Sequence, residues 1–317
     1  MNTCIIGGNG FIGKHLANEL RFTGRIITIV SRSKFELYDV KCLQAENMFD
    51  EKIEALIADM DEIFYLAYAT KPKTSFDNPV KDIEENLAQT VHLFSLAAKS
   101  KRIKKVIYVS SGGTIYGHTN AELIEENHIT KPISPYGITK LAIEHYAHLF
   151  FTLYNLPVVV VRPSNAYGPG QMAKEGQGFI AYALESVLHK QPVNIFGTDG
   201  TIRDYIFVTD LAKAMIACLE NGCPGATYNI GSQQGYTNLN IVNLIKGIAE
   251  IKGYDITENH TDPRPFDVNR NVLSTAKLRF DTGWVPLVSI QDGLSTTWNC
   301  LYDETINKSG NKNHNNN

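Results

Sequence analysis

Met1-Asn2-Thr3-Cys4-Ile5-Ile6-Gly7-Gly8-Asn9-Gly10-Phe11-Ile12-Gly13 is the stretch from which the fold is read. Met1 to Ile6 is a short apolar strand, and Leu16 and Leu20 place an amphipathic helix directly after the glycines. Strand, glycine-rich turn and helix thus follow without a break. Glycines let such a turn bend tightly, let the backbone approach a ligand closely, and let the helix pack on its strand. The N–H groups that begin the helix have no partners within it and face an anion. Gly8-x-Gly10-x-x-Gly13 therefore predicts a pyrophosphate cradle for a dinucleotide, touched by Gly7, Gly10, Phe11, Ile12 and Gly13. An ordinary glycine-rich turn is the competing reading, and the order of the elements argues against it.

Next in the chain, Ile26 to Val30 is a second buried strand whose end meets the adenosine ribose. An acidic residue here would hydrogen-bond the 2′-hydroxyl, but the sequence is Ser31-Arg32-Ser33-Lys34. A hydroxyl followed by two cations accommodates a 2′-phosphate, which favours NADP(H), with NAD as the alternative. The competing reading is a solvated basic turn. Further strands at Leu43 to Ala45, Glu62 to Ala67 and Val106 to Val109 alternate with helices over Glu51 to Asp59 and Val80 to Leu96. That alternation predicts an α/β, Rossmann-type doubly wound parallel sheet with its ligand at the carboxyl ends of the strands.

With 317 residues, 43% hydrophobic and 20% charged, the chain suits a nucleotide-binding domain joined to a smaller substrate-binding part. Its net charge of −3 gives no electrostatic reason to bind nucleic acid or an acidic membrane. No apolar run approaches bilayer length and no leader precedes the first strand, so a cytoplasmic protein is expected. The five cysteines are scattered, read as reduced and structural, and the nine histidines show no ligand spacing, so no metal is expected.

The chemistry-bearing residues come after the fifth strand. Ser110-Ser111-Gly112-Gly113-Thr114-Ile115-Tyr116-Gly117 follows it directly, and Ser134-Pro135-Tyr136-Gly137-Ile138-Thr139-Lys140 later opens a long helix. Tyr136 and Lys140 share a helical face. An ammonium near a phenol favours the phenolate and brings its pKa down toward the working range of an acid or base.

These motifs together resemble an extended short-chain dehydrogenase/reductase of the nucleotide-sugar group, which contains UDP-glucose 4-epimerases, sugar-nucleotide dehydratases and 4-keto-sugar reductases. The spacing Gly7-x-x-Gly10-x-x-Gly13 is similar to that family's, as are Arg162-Pro163-Ser164-Asn165-Ala166-Tyr167-Gly168-Pro169, Gly200 to Asp210, Tyr228 to Ser232, and Pro263 to Val268. The resemblance implies Tyr136 as acid/base, Lys140 as its tuning residue and ribose ligand, and Ser111 as the hydroxyl that polarises the reacting oxygen, with Thr114 in reserve. It implies substrate contacts from Asn165, Arg203 and Arg264, and it puts Asn47 where an aspartate normally touches the adenine. Arg203 and Arg264 also read as surface ion-pairing residues, Asn165 as a loop brace, and Tyr116 and Tyr167 as packing aromatics.

The expected organisation is a cofactor domain over 1–165, mainly a substrate cap with returning sheet elements over 166–305, and a disordered tail over 306–317, which has nothing apolar to bury after residue 306. The implied reaction is hydride transfer at a hexose C4. Reduction by NADPH of a 4-keto-6-deoxyhexose, dTDP-linked and destined for surface polysaccharide (O-antigen and lipopolysaccharide), is put ahead of NAD-dependent UDP-hexose 4-epimerisation, because the Ser31-Arg32 turn favours NADP. A non-catalytic dinucleotide-binding scaffold is the third reading. The resemblance also implies a homodimer through helices over Val80 to Lys99 and Tyr136 to Tyr154.

Overall fold

The computed structural model describes residues 1–37, 39–173, 178–263 and 268–314, with side chains up to residue 306. Seven parallel strands form the main sheet, in the order Thr227–Ile230, Val158–Pro163, Lys105–Val109, Glu62–Tyr65, Asn2–Ile6, Ile26–Ser31, Lys41–Gln44. The chain runs outward from Asn2–Ile6 in one direction, then returns and builds outward in the other. The order therefore reverses beside Asn2–Ile6, and this opens a crevice at the carboxyl ends of Asn2–Ile6 and Glu62–Tyr65. The doubly wound fold expected from the sequence is the one observed.

Alternate residues of each strand go to opposite faces. Cys4 and Ile6 join Ile63, Tyr108 and the helix residues Phe94 and Phe150 in one layer. Ile5 joins Leu16, Ile29, Phe64 and Met215 in the other. Because both faces are covered by helices, the central strands are mostly apolar instead of alternating strictly with polar residues, while the edge strand Lys41–Gln44 is largely exposed.

The cap has its own small sheet, in which Ile202–Phe207 pairs with Gly235–Tyr236, Arg270–Asn271 and Asn165–Tyr167. Helices Phe179–Leu188, Asn238–Glu250 and Ile290–His314 enclose a separate core around Leu184, Ile245 and Trp298. Strand Thr227–Ile230 and helix Val208–Asn221 return to the main sheet from within the cap's stretch of sequence. The backbone helix Ile290–His314 extends into the polar C-terminal stretch. Extending a nucleated helix fixes only one more residue per hydrogen bond, so a polar composition alone does not end it.

Candidate active site

The glycine turn sits at the mouth of the crevice. Gly7 has φ of 85°, in the left-handed region, and a Cβ there would lie 2.7 Å from the Ala67 nitrogen, just beyond the end of strand Glu62–Tyr65. At Gly13 a Cβ would meet backbone on three sides, including Gly8 Cα at 2.5 Å, so this residue lets the helix seat on the turn. Helix Phe11–Leu20 has Gly10 as its N-cap, with no side-chain cap and no acid in its first turn. Its leading N–H groups are thus left for an anion. The Phe11 ring meets His15 edge-on at 5.7 Å, and Ile12 packs half-buried on the core. These residues fit the pyrophosphate of a dinucleotide: a short turn without side chains, facing a helix N-terminus.

At the end of strand Ile26–Ser31, the Ser31 hydroxyl donates to the Ser33 carbonyl at 2.7 Å, and the Arg32 carbonyl accepts from Gln44 at 3.0 Å. The turn is thereby fixed with the Arg32 and Lys34 side chains in solvent and no carboxylate at the end of the strand. Asn47 is half-buried, and its side-chain oxygen accepts from the Phe49 nitrogen at 2.9 Å. It therefore closes a local turn, with its amide nitrogen and the second lone pair of its oxygen still open to a ligand.

Tyr136 and Lys140 project from the start of helix Pro135–Tyr154. That helix begins with a Ser134 side chain that accepts from Gly137 and a proline at its first position, both strong start signals. Buried Ser75 accepts from the Tyr136 backbone nitrogen at 3.1 Å, and Ser111 stands near enough to the Tyr136 phenol to favour its ionised form. The structure thus brings Ser111, Tyr136 and Lys140 together. Thr114, the reserve hydroxyl, is buried at its oxygen without a partner.

One expectation is corrected. The sequence predicts that Lys140 lowers the Tyr136 pKa, but burial, reinforced by the charge of Asp82, pushes that phenol up, and the neighbouring Ser111 hydroxyl pulls it down only in part. The reason is where the ammonium goes. Lys140 Nζ donates to the Val109 carbonyl at 2.8 Å and lies 5.7 Å from the Tyr136 ring, so it is the lysine whose proton is loosened, its pKa brought down to about 7 by burial against the opposing charges of Glu144 and Asp82.

The remaining candidate residues lie on the cap. Asn165 Nδ2 donates to the Asp204 carbonyl at 3.1 Å, so the residue does brace the loop, and it faces Gly113. Arg203 is half-buried at the cap sheet, its guanidinium donating to the Ile202 carbonyl at 2.9 Å. Arg264 lies outside the described residues. Asp204 was not singled out in the sequence, yet its buried carboxylate accepts from Ser164, Ser232, Gln233 and Leu273, joining the end of strand Val158–Pro163 to two other cap segments. Tyr116 and Tyr167 are buried as expected, and Tyr116 also accepts from Arg162, whose guanidinium is paired with Glu144. Tyr68 and Asp82, both against the Tyr136–Lys140 pair, were missed too. The signal was present in Tyr68-Ala69-Thr70, immediately beyond the fourth strand and so at the crevice.

Residues 3–231 match the NAD dependent epimerase/dehydratase family, and the chain belongs to it. The solved UDP-glucose 4-epimerase of Thermotoga maritima, with UDP-glucose, is 32% identical with a TM-score of 0.88, covering 96% of this chain and 100% of that one. That of Thermus thermophilus, in complex with NAD, is 30% identical with a TM-score of 0.86 over 95% of this chain and 99% of that one. The dTDP-4-dehydro-6-deoxyglucose reductase of Escherichia coli is 29% identical over 304 residues, covering 92% of this chain and 94% of that protein. The chain is accordingly an enzyme of the family that acts on nucleotide sugars. Among its described residues no helix is long and apolar enough to cross a membrane.

Proposed function

We propose that this enzyme reduces the C4 ketone of a nucleotide-linked 4-keto-6-deoxyhexose, with NADPH as the hydride source and the dTDP-linked sugar as first candidate. The observation that carries this reading is the turn Ser31-Arg32-Ser33-Lys34. The strand ends on Ser31 and Arg32 where a carboxylate would bind a ribose diol, and a 2′-phosphate there meets two solvent-facing cations. NADPH drives a net reduction, while an epimerase that returns its hydride gains nothing from it.

A bound nicotinamide supplies the hydride. Tyr136 holds the proton destined for the C4 oxygen, Ser111 hydrogen-bonds that same oxygen, and Lys140 steadies the ribose and the charge beside the phenol. Asn165 and Arg203, with Arg264, orient the sugar nucleotide. Ile138, Leu149 and Leu153 on the long helix, with Val80 and Ile83, form an exposed apolar stripe that supports a homodimer.

The second reading, UDP-hexose 4-epimerisation with NAD, is favoured by the likeness to the two solved epimerases. A non-catalytic scaffold is disfavoured by the assembled Ser111, Tyr136 and Lys140. The deciding experiment supplies dTDP-4-keto-6-deoxyglucose with NADPH or NADH and follows the nicotinamide absorbance. Rapid oxidation with an NADPH preference supports the reductase. No oxidation, together with conversion of UDP-glucose to UDP-galactose without added cofactor, supports the epimerase.

A further inference from the structure

Tyr68 touches both members of the Tyr136–Lys140 pair and was not singled out in the sequence. Its ring centroid lies 3.9 Å from Lys140 Nζ, and its ring meets that of Tyr136 edge-on at 4.7 Å, the planes 64° apart. The Tyr68 hydroxyl lies 3.5 Å from both Asp82 Oδ2 and the Tyr136 backbone carbonyl oxygen. Asp82 is fully buried and is itself held by Thr70 and Asn86. With Tyr108 at 5.2 Å and Tyr136 at 5.7 Å, three tyrosine rings surround the ammonium, which donates to the Val109 carbonyl.

We propose that Tyr68 is a positioning residue for the reaction: its ring face keeps the Lys140 ammonium charged and seated beside Tyr136, and its hydroxyl is anchored by Asp82. This rests on reading Tyr136 and Lys140 as the acid/base pair, and not on which sugar is bound or in which direction hydride moves.

A buried ammonium resting on a backbone carbonyl is poorly solvated, and burial alone drives it toward the neutral form. The negative face of an aromatic ring offsets part of that loss, most strongly where water is excluded. The other groups that bear on the ammonium are the carboxylates of Asp82 and Glu144. Glu144 is already committed to Arg162, and Asp82 to Thr70 and Asn86. Removing the Tyr68 ring leaves those charges in place and takes away the surface on which the ammonium rests. The midpoint of Lys140 then falls by about one pH unit, and the alkaline side of the turnover profile shifts with it.

The test is a carbon-13 NMR titration of lysine Cε in the cofactor-free protein, with the Lys140 signal assigned by Lys140→Arg, in wild type, Tyr68→Leu and Tyr68→Phe. Tyr68 is half-buried, and thermal melts confirm that each variant is folded. The proposal expects Lys140 to titrate about one pH unit lower in Tyr68→Leu and close to wild type in Tyr68→Phe, which keeps the ring. A wild-type midpoint in Tyr68→Leu overturns it. So does an equal fall in both variants, because the hydroxyl and its tie to Asp82 would then be responsible. The expected NMR pattern in a protein that turns over no nucleotide sugar would support the aromatic cage and refute the reaction proposed above, so the two ideas fail separately.

Discussion

Placing one methyl group on either of two glycines separates a phosphate cradle from a turn that merely folds well. At Gly13 the added Cβ would lie 2.5 Å from Gly8 Cα, 2.7 Å from the Gly8 oxygen and 2.8 Å from the Gly7 oxygen. All three are backbone atoms, so the helix must back away from the turn by several tenths of an ångström or more. Overpacking of this kind costs about 1–3 kcal/mol, and at roughly 0.7 kcal/mol per degree for a chain this long Gly13→Ala should melt about 1.5–4.5 °C lower. Gly10 differs. Its φ of −74° suits any residue, and a Cβ there meets only the Gly7 oxygen, at 3.3 Å. A modest loss at the N-cap is offset by the lower entropy of the unfolded chain, so the stability of Gly10→Ala stays within about 0.5 kcal/mol of wild type. The methyl nevertheless enters the space in front of the helix N-terminus. Melts by circular dichroism, paired with fluorescence titration of NADPH and NADH, should show Gly10→Ala folded like wild type and binding roughly tenfold weaker or worse. Gly10→Ala binding either dinucleotide as tightly as wild type would refute the cradle.

Other perturbations separate the remaining parts. Tyr136→Phe should lose turnover by roughly a hundredfold or more while keeping dinucleotide affinity; stopped-flow assays and the same titration check both halves. Arg32→Ala should weaken NADPH far more than NADH, by about tenfold in the ratio of their dissociation constants, and an unchanged ratio would demote the turn to ordinary surface. Glu144→Leu strands the buried Arg162 guanidinium, so urea denaturation should show a loss of about 3–5 kcal/mol. Leu149→Arg at the centre of the exposed stripe should convert a dimer to a monomer by light scattering, and a wild-type monomer would dispose of that expectation.

What the sequence revealed divides along physical lines. The glycine turn was legible because its constraints are local: a positive φ at Gly7 and a close contact at Gly13 are demands that only glycine meets, and they stand next to the strand and helix they serve. Tyr136 and Lys140 were legible as partners because four residues is one helical turn. Their electrostatics were not. Nothing in the spacing shows that Nζ turns to Val109 or that both groups are buried deeply enough for desolvation to dominate. Tyr68 and Asp82 were missed because they meet the pair across more than fifty positions of sequence, where no periodicity reports them. Asp204 was hidden in a different way. It stands beside an arginine that a family resemblance explains, while its own bonds reach Ser164, Ser232 and Leu273 on separate segments.

Net delivery of a hydride to C4 is tested with NADPH carrying deuterium in the transferred position. Incubation with dTDP-4-keto-6-deoxyglucose, followed by NMR and mass spectrometry of the sugar, should show one deuterium at C4 for each NADPH oxidised. Deuterium absent from C4, or sugar converted with no NADPH consumed, would contradict the account and favour a hydride that is borrowed and returned.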